Sequence, residues 1–69
     1  MIYVLIESTP TGPQELKQFE AENIFGAVLE ALKVVNEPPD RSMTHQIIGG
    51  RAIITMTKPT RNYSVQPKP

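Results

Sequence analysis

Apolar residues recur with helical spacing in one stretch of the chain, from Asn23 to Asn36. At about 100° per residue, Ile24, Ala27, Val28, Ala31 and Val35 share one face, with Leu32 and Phe25 on one flank and Val34 on the other. Glu30, Lys33 and Gly26 mark the opposite side. Asn23 stands directly before the first apolar residue and can accept hydrogen bonds from the free N–H groups of the first turn, so the helix is expected to begin there. With Leu29 included, the apolar arc spans roughly 220°, about twice what a helix on one sheet buries. The surplus, Phe25, Leu29 and Leu32, is therefore available to a second surface.

Elsewhere the period is two. Ile2, Val4 and Ile6 alternate with Tyr3, Leu5 and Glu7, the pattern of an interior strand covered on both sides. Ser8 to Pro13 breaks it with two prolines and a glycine, and Gln14 to Ala21 follows as a more polar edge strand whose inward register is Lys17, Phe19 and Ala21. After the helix, Glu37-Pro38-Pro39-Asp40 prevents continuation, because proline lacks an N–H and restricts the residue before it. Thr44 to Ile48, Gly49-Gly50 and Arg51 to Thr57 then read as a two-residue hairpin. Pairing Ile48 with Arg51 puts Met43, His45, Ile47, Ala52, Ile54 and Met56 on one face and Gln46, Ile48, Arg51, Ile53 and Thr55 on the other. The first face is the floor for the helix. The second, joined by Tyr3 and Leu5, is expected to form an apolar patch of Tyr3, Leu5, Ile48 and Ile53 on the far side of the sheet. Pro59 to Pro69 shows three prolines and no evident period, and reads as a flexible, basic, Pro-rich C-terminal tail.

The expected fold is thus α+β, a single ββαββ domain over residues 1–58 with one helix packed on a four-stranded, mainly antiparallel sheet, followed by the tail at 59–69. Strand orders 2-1-3-4 and 2-1-4-3 both satisfy the connections.

Composition sharpens this in three ways. A chain of 69 residues is one domain, and at that size only about 60% of the unfolded surface is buried, so a second copy or a partner would add stability. There are no cysteines, which excludes disulfides and thiolate metal sites. The first segment lacks a basic leader and meets Glu7 early, so neither a signal peptide nor a membrane span is expected and the location reads as cytoplasmic. The formal net charge of zero conceals a polarity: all seven acids and only Lys17 and Lys33 lie up to Asp40, a net of −5, while five basic residues and no acid follow, a net of +5. Such halves either neutralise each other within the fold or across a dimer, or mark nucleic-acid contacts at the basic end.

No constellation carries clear chemistry. Asp40, Ser42 and His45 contain the residue types of a nucleophilic triad, but two of the three share one Pro-adjacent loop with no glycine elbow. His45 with one aspartate makes a weak metal site, and Gly49-Gly50 lacks the Lys-Ser/Thr of a phosphate loop. Glu15, Glu20 and Glu22 are edge-protecting and solvating charges. Asn62-Tyr63-Ser64 fits a glycosylation sequon by chance. Arg51, Lys58, Arg61 and Lys68 with Tyr63 are the basic and aromatic set that could follow a nucleic-acid backbone. No catalytic residue, cofactor, metal or small-molecule substrate is assigned.

Phe19-Glu20-Ala21-Glu22-Asn23, followed by the apolar run Ile24 to Leu32, is a strand-end, cap and helix pattern. In order it resembles small phage-encoded inhibitor proteins of the host RNA polymerase inhibitor and anti-CRISPR types. That resemblance spans about residues 1–58 by element order and implies inhibition of a larger host protein by surface contact. The sequence therefore reads as a non-enzymatic protein-interaction module, a homodimer or bound to a larger host protein, using Phe25, Leu29, Leu32, Tyr3, Leu5, Ile48 and Ile53. The alternative is a small nucleic-acid-binding regulator using the basic half.

Overall fold

A computed structural model of the chain describes residues 1–35, 43–57 and 60–68. The elements run β1 (Ile2–Thr9), β2 (Gly12–Glu20), α1 (Ile24–Val35), β3 (Thr44–Ile48), β4 (Arg51–Thr57) and β5 (Thr60–Pro67). All strands belong to one sheet in the order β2-β1-β5-β4-β3, and every neighbouring pair is antiparallel. The class is α+β, as the sequence predicts. The strand count and order are not: among the described residues there are five strands rather than four, the order is ββαβββ, and β1 pairs with β5 rather than with β3 or β4.

The segment read as a flexible tail supplies the middle strand. Tyr63 and Val65 alternate with Asn62, Ser64 and Gln66, a half-buried period-two pattern, and both apolar residues are buried in the core. Pro67 ends the strand where a missing N–H costs least. The next amide, on Lys68, donates to the Ile2 carbonyl at 2.8 Å, so the last residues clasp the first strand.

The helix begins as its cap dictates. The Gly26 N–H donates to Asn23 Oδ1 at 3.0 Å, and the Ala27 N–H donates to the Asn23 carbonyl at 3.1 Å. Its buried side is Ile24, Ala27, Val28, Ala31 and Val35, the face derived from the wheel. It connects β2 to β3, which lie at opposite edges of the sheet, so the chain must cross the sheet between them, and α1 packs against β2, β5 and β4 on the way.

Both hairpins have two-residue turns. Thr9 pairs with Gly12 in the first and Ile48 with Arg51 in the second. In the second turn the positive φ is at Gly49, +62°, the first central position, as in a type II′ turn. A register shift at Leu5/Ile6 leaves Leu16 as the extra residue of a bulge in β2. Together with Pro13, Glu15 and Lys17 it makes β2 a poor template for further pairing.

Candidate interaction surfaces

The buried face of α1 sets what the helix shows to solvent. Phe25 and Leu29 are 64% and 63% exposed, while Leu32, one turn further, is half-buried against the core. These three stand at i, i+4 and i+7, so they form one ridge along the helix. Glu30 and Lys33 lie beside it, joined at 3.3 Å on the solvent side.

The sheet face opposite the helix is open. Its composition follows from register: Leu5 is level with Val65, Val65 with Ala52, and Ala52 with Ile47, all on the helix side. Tyr3 and Leu5 are accordingly core residues, and the expectation that they join Ile48 and Ile53 on the far side is overturned. Alternation along β1 alone does not say which of its sides faces the helix; the pairing with β5 does. The far side instead receives Ile2, Val4 and Ile6 from β1, Ser64 and Gln66 from β5, and Arg51 and Ile53 from β4. Ile48 and Ile53 do lie there as predicted, 58% and 46% exposed.

This face has two apolar islands separated by the polar column of β5. One is Ile2, Val4 and Ile6; the other is Ile48 and Ile53. Val4 is buried although it lies on the face opposite α1. It lies between Gln18 and Gln66 in the ladder, and Lys68 Nζ reaches from the end of β5 to donate to Gln18 Oε1 at 3.1 Å, a strap across β1. Beside the second island a shallow hollow of about 410 Å³ is lined by Ile48, Arg51, Ala52, Ile53, Ser64 and Gln66. The charges are divided: Glu15 and Glu20 flank the first island on β2, and Arg51 flanks the second.

The basic and aromatic set is not gathered on one surface. Arg51 is on the open face, whereas Arg61 is level with buried Met56 on the helix side. The Arg61 guanidinium is held above its ordinary pKa by a hydrogen bond and proximity to Tyr63, with Glu7 adding a smaller contribution. Tyr63 is buried in the core, so its ring offers no stacking platform. Lys68 is engaged with Gln18, and Lys58 lies outside the described residues. His45 is exposed on the edge strand β3, and its two sequence companions, Asp40 and Ser42, lie outside the described residues. Among the described residues no group of three or more His, Cys, Asp or Glu is placed to hold a metal ion, and no helix is long and apolar enough to cross a membrane.

Sequence reasoning missed Ile2, Ile6, Ser64 and Gln66 as surface-forming residues. The signal that identifies them is the alternation in residues 61–66, which makes β5 a strand and thereby fixes the parity of β1. Comparison with protein-family models, curated proteins and solved structures finds no match to this chain.

Proposed function

We propose that the chain is a small non-enzymatic protein-interaction module that lays the ridge of Phe25, Leu29 and Leu32 into an apolar groove of a larger protein. The observation that carries this reading is the exposure of Phe25 and Leu29, a full aromatic and a full aliphatic side chain on the outward side of a helix whose other face already fills the core. Anchors at i, i+4 and i+7 are the spacing by which an amphipathic helix occupies a groove. The flanking Glu30 and Lys33 place a polar rim beside the apolar centre. Held on the sheet, the helix is ordered before binding, which removes most of the folding cost a free peptide would bear. Blocking a larger host protein by such contact, as a phage or mobile-element protein would, is the biological role we attach to the ridge.

The test compares the parent with a Phe25→Ser/Leu29→Ser variant as bait in a lysate of the source cells. Both side chains are exposed in the free chain, so the variant should keep the parent's circular dichroism while losing a captured protein. Equal capture by both would refute the ridge as the docking element. Titration of the parent with labelled DNA and RNA at two salt concentrations separates the nucleic-acid alternative, whose affinity would fall steeply with salt.

A further inference from the structure

We propose that the open face of the sheet is a self-association surface, on which a second copy of the chain packs face to face about a twofold axis parallel to β5.

The argument begins with the layout of the face. β5 is the middle strand of five, and the two apolar islands lie on either side of it. A twofold axis along β5 sets β1 of one copy against β4 of the other and β2 against β3, so Ile6 meets Ile53 at two equivalent places, while Val4 lies opposite Arg51 and Ile48 opposite Gln18. The same operation brings Glu15 and Glu20 on β2 of one copy over the side that carries Arg51 in the other, acid toward base. The face therefore meets itself through the paired Ile6–Ile53 contacts with its acidic side toward its basic side, the self-matching that an isologous interface requires. Ser64 and Gln66 fall near the axis, where small or hydrogen-bonding side chains let two copies meet. Lys68 leans from β5 toward Gln18, which carries its ammonium away from the axis and from its symmetry mate.

Size supports the same occupant. Five strands spaced ~4.8 Å apart and about seven residues long at ~3.3 Å per residue make a face of roughly 550 Å². Two such faces bury on the order of 1,100 Å², above the ~1,000 Å² that separates a specific interface from an incidental one. The one helix among the described residues lies on one side of the sheet, and a second sheet would supply a layer on the other at the spacing of a β-sandwich. In that dimer the two helices are on the outer surfaces. If the ridge reading above holds, the assembly is bivalent, displaying Phe25 and Leu29 in two opposite directions.

Sedimentation velocity on the full chain tests this from low to high micromolar concentration. The expected species has twice the 7.7 kDa chain mass. Ile53→Arg and Arg51→Glu, both at exposed positions, should keep the parent's circular dichroism and each weaken the dimer at least tenfold. Phe25→Ser/Leu29→Ser should leave it unchanged, so failure of the ridge reading and failure of this one are distinguishable. The chain has no cysteine, so Ser64→Cys supplies a single thiol near the axis. A short bis-maleimide should couple it into a covalent dimer at concentrations where Lys33→Cys stays monomeric. A parent that remains monomeric throughout, a dimer indifferent to both Ile53→Arg and Arg51→Glu, or one lost on changing Phe25 and Leu29 would overturn the proposal.

Discussion

Val65→Ala is the sharpest probe of the fold, because it acts on a residue whose sequence context looks like a tail and whose position is the centre of the core. Val65 is 0% exposed, level with Leu5 on β1 and Ala52 on β4. Truncation removes two carbons, worth about 0.8 kcal/mol each in transfer free energy, or ~1.6 kcal/mol together. A cavity term adds to this where the surroundings cannot collapse, and hydrogen-bonded strands on both sides resist collapse, so the expected loss is about 2–3 kcal/mol. A domain of this length has a total stability of roughly 3.5–10 kcal/mol, so the loss is a large fraction of it. At about 4–8 °C per kcal/mol, the thermal midpoint should fall by roughly 10–20 °C. Gln66→Ala, one residue on and facing the open side, should change stability by under about 0.5 kcal/mol. Thermal melts followed by circular dichroism, with urea titrations to confirm the free energies, make the comparison. A Val65→Ala midpoint within about 2 °C of the parent would show that β5 is not part of the cooperative core, and the five-stranded sheet would have to be abandoned.

Deleting residues 60–69 removes the strand that joins the β1/β2 and β3/β4 hairpins, so the truncated chain should lose its cooperative melt altogether; a sigmoidal transition near the parent midpoint would contradict this. Val28→Asp places a carboxylate among buried apolar neighbours at a cost of several kcal/mol, and that variant should be unfolded or insoluble. Lys33→Asp, which breaks only an exposed ion pair, should shift stability by about 0.5 kcal/mol or less in the same melts. Asn23→Ala deprives the Gly26 N–H of its acceptor and should cost about 1 kcal/mol, measured by urea denaturation; an Asn23→Ala variant as stable as the parent would mean that the cap contributes nothing.

The sequence by itself determined those features whose cause is local. The helix and its phase follow from side-chain spacing at Ile24, Ala27, Val28, Ala31 and Val35, its start follows from Asn23, and the second hairpin follows from Gly49-Gly50 between two alternating runs. The exposure of Phe25 and Leu29 was legible for the same reason, since more apolar arc was present than one sheet could cover. Tertiary structure alone decided the rest. Residues 60–67 contain only two core-forming side chains, Tyr63 and Val65, and end on Pro67, a residue that signals irregular chain. What makes them a strand is the pair of unsatisfied backbone edges offered by β1 and β4, which any segment able to extend between them will fill. Once β5 is inserted, it determines which side of β1 meets the helix, because a shift of one residue in parity exchanges every side chain between faces. Tyr3 and Leu5 thereby went to the core and Ile2, Val4 and Ile6 to the open face. Periodicity shows that two sides of a strand differ, but only the neighbour to which it hydrogen-bonds decides which of them lies beneath the helix.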